Sequence, residues 1–249
     1  MSQKEYKVIT LFPETIQAYM DASMMGRAQA REIFSLDLVQ LRDYAINDYG
    51  QVDDKVYGGG RGMLLMAEPI HRAWQACQAE RERPLRTIYC SPRGRRFDQQ
   101  LAHDLAAEEG LVILCGHYEG VDERVLEACQ AEEISLGDFV LSGGEICAMA
   151  ILDAVLRLIP GVLPDPEAWQ EESFSDSLLA ESQYSRPQTW EGLSVPPVLL
   201  SGNEREIQAF RRQSQLLQTY QKRPDLLAKS ELDKRDWELL LKALAELDK

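Results

Sequence analysis

The feature that most constrains this chain is an alternation across its first 160 residues. Short apolar runs, "YKVITLF" (6–12), "SLDLVQL" (35–41), "GMLLMA" (62–67), "RTIYCS" (86–91), "LVILCG" (111–116) and "EEISLG" (132–137), are separated by longer stretches. Several of those stretches, about 68–82, 98–109 and 121–129, carry helical patterns. Strand–helix–strand alternation with apolar strands predicts an α/β layer built on a largely parallel sheet. The unit closes with "EICAMAILDAVLRLIPGVL" (145–163), an apolar helix ended by Pro160 and Gly161.

The pattern then changes. "PDPEAWQEESFSDS" (164–177) is rich in Pro, Ser and acidic residues and reads as a linker. Beyond it the chain is helical. Asn203 is placed as the N-cap of a helix over about 204–222, and a last amphipathic helix is expected over about 233–247. On the first of these, Ile207, Phe210, Leu217 and Tyr220 are expected to pack inward. Arg205, Gln208, Arg212, Gln215 and Thr219 are expected to face solvent.

Composition narrows the function classes. The net charge of −14 argues against global attraction to nucleic acid, because binding RNA requires local Lys and Arg to displace counterions. Yet residues 204–235 hold eight basic side chains against five acidic ones, a local +3, which leaves −17 on the rest. Five cysteines without a C-x-x-C pair fit neither a disulfide framework nor a structural zinc site, and Cys115 with His117 supplies only two ligands. No apolar run reaches the roughly 18 residues of a membrane span, and no secretory leader is read at the N-terminus. A cytoplasmic protein with reduced thiols is expected.

Three glycine-bearing loops carry the chemistry. "YGGGRGM" (57–63) fits no G-x-G-x-x-G register, and the chain lacks both a phosphate-loop lysine motif and a G-x-S-x-G elbow. "LCGHYEGVDERV" (114–125) follows a buried strand and enters a helix, the place where parallel sheets hold ligands. "ISLGDFVLSGGE" (134–145) does the same. Glycine loops at strand ends without phosphate signatures suggest an adenosine-like ligand held by backbone groups between apolar walls.

"VDDKVYGGGRGM", "LCGHYEGVDERV", "ISLGDFVLSGGE" with "DAVLRLIPGVL", and "PPVLLSGN" occur in this order. As a set they resemble the bacterial tRNA guanine-N1 methyltransferases, over essentially the whole chain. The resemblance implies a knotted, SPOUT-type domain over residues 1–162 with a deep trefoil knot. It also implies a linker over 163–176, a small helical tRNA-binding domain over 177–249, and a homodimer with its active sites at the subunit interface. The implied methyl donor is S-adenosylmethionine and the implied acceptor is N1 of the guanine just 3′ of the anticodon. A need for Mg²⁺ is not readable from the sequence.

Carried over by that resemblance, the adenine and ribose would lie against Cys90, Ser91, Pro92, Gly116 and the run Ser135, Leu136, Gly137, Asp138, Phe139, Val140 and Leu141. Gly143 and Gly144 would let the chain turn beneath them. Tyr118, Glu119 and Gly120 would flank the methionine end, with Glu119 beside the ammonium.

The reaction needs a base for the N1 proton and a cation near O6, where negative charge develops. The family places an aspartate in the linker and an arginine before "PGVL". Arg157 matches the arginine, whereas Glu172 stands at the aspartate position, with Glu171 as the lesser candidate. Arg93, Phe139 and Cys147 also depart from the family's usual glutamine, tyrosine, and proline or alanine. Arg61, Arg205 and Arg212 are the expected RNA contacts. Two alternatives accompany this expectation: a tRNA- or cofactor-binding module with impaired catalysis, and a knotted methyltransferase acting on another RNA.

Overall fold

The structure, a computed structural model, describes residues 3–79, 81–165, 169 and 172–247. The chain divides into two compact units, Met1–Pro166 and Glu167–Lys249, a division that falls inside the expected connecting segment.

The first unit is a parallel sheet flanked by helices. Its strands are β1 (Lys4–Thr10), β2 (Phe34–Gln40), β5 (Arg86–Arg96), β6 (Gly110–Cys115) and β7 (Glu132–Ser135), in the order β2-β1-β6-β5-β7. Every pairing among them is parallel. All six residues of β6 are buried, as the unbroken apolar run requires of a strand covered on both faces. Its side chains alternate between two cores. Leu111, Ile113 and Cys115 join one with Val8, Ile88 and Leu152, while Val112 and Leu114 join the other with Ile9, Ile70 and Val125. Each such burial stabilises the fold by roughly 1.5–3 kcal/mol before chain entropy is counted.

The helices are α1 (Pro13–Met20), α2 (Ser23–Ala30), α3 (Ala67–Gln78), α4 (Gln99–Ala107), α5 (Glu123–Ala128) and α6 (Glu145–Leu156). The Asp98 carboxylate caps α4 by accepting from the Leu101 N–H, and Asp122 caps α5 by accepting from the Arg124 N–H. Two expectations need correction. "GMLLMA" does not join the parallel sheet: β4 (Met63–Leu65) pairs antiparallel with β3 (Asp53–Lys55) as a separate hairpin. The helices α1 and α2 have no counterpart among the expected elements. Neither N-cap residue, Phe12 or Ala22, makes a side-chain capping bond, and α1 is marked only by Pro13 at its first position and Glu14 in its first turn.

The second unit contains a short hairpin of β8 (Thr189–Trp190) and β9 (Leu193–Ser194), then α7 (Glu204–Lys222), α8 (Pro224–Leu227) and α9 (Lys234–Leu247). Asn203 does sit at the N-cap of α7, but its side chain makes no capping bond. The packed face of α7 is rotated from the expected one: Ile207, Phe210 and Leu217 are only half-buried, while Arg205 and Gln208 are exposed as expected. Leu216 and Thr219 are fully buried, and Leu216 packs on Leu178 and Leu240, whereas Tyr220 is exposed. Arg212, expected in solvent, lies on this packed side. Among the described residues no helix is long and apolar enough to cross a membrane.

Candidate active site

A cavity of about 540 Å³ opens where β5, β6 and β7 end at their carboxyl edges. Three loops build it, and each is forced into place by a specific contact.

The first comes from a break in β5. Cys90 and Arg95 both pair with Ile134, so Ser91–Gly94 are extruded from the ladder as a bulge. Gly94 permits this, because a Cβ there would fall on the Glu133 carbonyl. Ser91 is buried, and its Oγ accepts from the Arg93 N–H at 3.2 Å.

The second loop follows β6. A Cβ on Gly116 would lie 2.7 Å from the Tyr89 hydroxyl oxygen, so any larger residue would have to displace that ring. The loop is then clipped to β4: the Glu119 N–H donates to Met63 O and the Leu65 N–H to Gly120 O, both at 3.0 Å. Tyr118 is held at a φ of +59°, a left-handed conformation that costs a non-glycine residue roughly 1–2 kcal/mol. Such strain persists where the surroundings over-determine it, which is common at ligand sites. Gly62 in the neighbouring glycine turn meets this loop too, as a Cβ there would lie 2.7 Å from Glu119 Cγ.

The third loop follows β7. Gly143 bridges antiparallel to His117, and the Gly144 N–H donates to Gly116 O at 2.9 Å. A Cβ on Gly144 would stand 2.7 Å from Cys115 Cα, and one on Gly143 would strike the His117 ring. The two glycines thus let two strand-end loops touch backbone to backbone.

All of the expected cofactor residues line this cavity except Asp138, which is exposed and outside it. The lining combines apolar side chains, Leu136, Leu141, Val121 and Pro92, with polar ones, among them Ser91, Glu119 and Ser142, and with glycine backbone. At the rim, Arg93 pairs with Glu123 at 3.0 Å and Glu133 at 3.2 Å, so its charge is met within the unit. At the floor, Cys90 and Cys147 line the cavity and cluster with Cys115 behind them. The hydrogen bond to Cys115 and burial push Cys90 well above the usual thiol range, and the bond to Cys90 and burial do the same to Cys147. They are neutral packing groups, not nucleophiles. Among the described residues, no group of three His, Cys, Asp or Glu could hold a metal ion.

One buried assembly had no signal in the sequence. Glu145, the first residue of α6, is buried, with Oε1 accepting from Thr10 Oγ1 at 2.5 Å and Oε2 lying 2.8 Å from His117 Nε2. This triad ties the end of β1 to both glycine loops. His117 drew notice only as half of an incomplete metal site, and Glu145 resembled an ordinary first-turn acid.

The remaining expected residues are dispersed. Arg157, half-buried, ends α6 in the first unit. Glu172, half-buried, belongs to the second, and its backbone oxygen accepts from Ser175 Oγ at 2.8 Å. Glu171 lies outside the described residues. Arg61 and Arg205 are exposed. Arg212 instead forks onto Asp236, Nε and Nη2 each at 2.8 Å, and reaches Asp176 at 2.6 Å through Nη1.

Comparison with known proteins adds the following. Residues 4–229 match the profile of the family described as tRNA (Guanine-1)-methyltransferase TrmD. A Staphylococcus carnosus (strain TM300) protein named tRNA (guanine-N(1)-)-methyltransferase is 47% identical over 232 residues, 93% of this chain and 94% of that one. A protein of the same name from Carboxydothermus hydrogenoformans is 45% identical over 240 residues, covering 96% and 94% of the two chains. One from Dehalococcoides mccartyi (strain CBDB1) is 46% identical over 239 residues, 96% of each chain.

Proposed function

The chain belongs to the tRNA (guanine-1)-methyltransferase family, and from that premise we propose that it methylates N1 of the guanine 3′ of the anticodon in tRNA, with S-adenosylmethionine as donor and Glu172 as base. The observation that carries the reading is the convergence of three strand-end loops on one cavity, where Gly116, Gly143 and Gly144 leave no room for a Cβ.

The residues fit the donor. The volume lies within the range of small-molecule sites, and a lining of apolar and polar side chains with glycine backbone suits an adenosine group. Ser91, Pro92, Gly116 and the backbone of 135–141 would hold the nucleoside, and Glu119 would face the ammonium. When bound, S-adenosylmethionine supplies an electrophilic methyl on a sulfonium.

Guanine N1 becomes a nucleophile only once its proton leaves. In this proposal Glu172 accepts that proton and the Arg157 guanidinium stabilises the negative charge on O6. Alignment of the acceptor with the methyl supplies much of the remaining acceleration, on the order of 7–11 kcal/mol in favourable cases.

The finer architecture is proposed in the same terms. Residues 1–162 would form a trefoil-knotted cofactor domain, a reading that rests on the family. Residues 163–176 would carry the base and 177–249 would bind tRNA, with Arg61 and Arg205 as phosphate contacts. Arg212 would have to leave two carboxylates to join them. A homodimer with active sites at the subunit interface is supported by Phe139, Val140 and Ile146, apolar side chains exposed at and beside the cavity. Five free, buried thiols suit a cytoplasmic location. Mg²⁺ has no assigned place.

The test is methyl transfer to a tRNA transcript with guanine 3′ of the anticodon, with the product base identified by mass spectrometry. N1-methylguanine is expected from the wild type, and a loss of about 10²–10⁴-fold from Glu172→Gln, the usual contribution of a general base. Activity that survives in the variant moves the base elsewhere, with Glu171 next. Cofactor binding without any methylation favours a binding module, which the exchange of the family's aspartate for Glu172 would explain.

A further inference from the structure

We infer that Arg212 is a positioning residue for catalysis: its guanidinium, locked onto Asp236 of α9, holds Asp176 and thereby the segment that carries Glu172. The inference rests on Glu172 being the base.

The segment is laid onto the second unit from one end. Leu178 is buried against Leu216 and Leu240, and the Leu179 N–H donates to Thr219 Oγ1 at 2.9 Å. Upstream of that anchor the chain doubles back: the Phe174 N–H donates to Leu178 O at 2.7 Å, and the Ala180 N–H to Ser173 Oγ at 2.9 Å. This fold-back places Phe174 and Ser177 at φ values of +77° and +64°. Two non-glycine residues in that region, within four positions, need an outside hold to persist. Asp176 lies between them, and its carboxylate meets Arg212 Nη1 at 2.6 Å.

Arg212 is suited to be that hold. Its Nε and Nη2 occupy both oxygens of Asp236, a buried carboxylate whose own N–H is engaged by Asp233. A planar guanidinium fixed on one edge has the direction of its remaining N–H groups fixed as well. A lysine, with one nitrogen, cannot serve both carboxylates in this way. Ser175 Oγ bonded to Glu172 O then passes the constraint to the residue that matters.

The test uses the full-length protein. Asp176→Asn removes the charge from the loop's side of the contact, leaving only a neutral amide oxygen to accept, and keeps the Arg212–Asp236 fork, so the unit stays folded. It is expected to lower kcat about 10-fold or more, toward the roughly 10²-fold that an ångström of misplacement can cost. KM for tRNA and for S-adenosylmethionine should stay within about two-fold, since ground-state binding is untouched. Arg212→Met should act in the same direction, Arg212→Lys should fall between it and wild type, and the double variant should be no worse than the worse single one. Hydrogen exchange at the Phe174 and Ala180 amides should quicken in Asp176→Asn. Unchanged exchange, unchanged kcat, or a loss confined to KM for tRNA would each overturn the inference, the last by making Arg212 a phosphate contact. Glu172→Gln run alongside separates the two failures. Full activity there removes the base, whereas collapse there beside an unaffected Asp176→Asn removes only the clamp.

Discussion

The cavity at the strand ends and the segment carrying Glu172 are held by opposite means. The cavity is a backbone construction: Gly116, Gly143 and Gly144 bring main chains into direct contact, and β4 clips the Glu119 loop by its N–H and C=O groups. The Glu172 segment is tied down by side chains, through Thr219, Ser173, Ser175 and the Arg212 fork. Backbone contacts tolerate exchange of the side chains around them but not the addition of a Cβ. Side-chain ties are indifferent to Cβ atoms and fail when one functional group is removed. The region proposed to hold the methyl donor is thus fixed by main chain, and the segment proposed to carry the base depends on a few side-chain groups.

The sharpest way to break this contrast is Gly144→Ala. The new methyl would meet Cys115 Cα, which is backbone in a buried strand and cannot step aside. Overpacking of this kind costs about 1–3 kcal/mol, so affinity for S-adenosylmethionine by calorimetry is expected to fall roughly 10- to 100-fold. Retained affinity would mean the loops are looser than their contacts imply.

Asp236→Asn probes the side-chain region with a smaller effect. The bond from Arg212 holds the Asp236 carboxyl below its ordinary value of 3.8. A depressed carboxyl contributes stability above its unfolded pKa and loses it as pH falls through the folded one. The variant should therefore be less stable than wild type at pH 7, by about 2 kcal/mol for a charge-assisted pair. As pH falls below about 4 the gap should narrow, and it should close only once the pH has passed below the depressed folded value, where the wild-type carboxyl is protonated in both states. Denaturant melts at the two pH values measure this, and a gap independent of pH would assign the loss to packing.

Arg93→Gln should do least. Arg93 lines the cavity, yet its ion pairs with Glu123 and Glu133 are largely exposed, and such pairs contribute about 0–1 kcal/mol. Cofactor affinity within about two-fold of wild type would confirm that rim side chains matter little beside the backbone. A larger loss would make Arg93 a ligand contact.

Much of this architecture was legible in the sequence, and the illegible parts share a cause. The strands of the main sheet announce themselves because burial on both faces excludes polar residues, as in "LVILCG". "GMLLMA" looks the same over three residues, but its partner is the polar β3, and local composition does not reveal pairing. The face of α7 was misjudged because Arg212 has its carboxylate partners 24 and 36 residues away, and only those partners make the charged side an inner one. In the site, the glycines could be found from their motifs, whereas Thr10, His117 and Glu145 could not. Their chemistry exists only after residues 135 apart in the chain have met.

That separation has a consequence for biosynthesis. Thr10 leaves the ribosome 135 residues ahead of Glu145, which at ordinary translation speeds is on the order of ten seconds. Throughout that interval the carboxyl end of β1 exists without its backing. A nascent chain halted between β7 and α6 has β1, β5 and β6 to pair but nothing to close behind His117. The ligand-gripping end of the sheet is therefore completed late, by a helix whose first residue fastens together parts of the chain made at three different times.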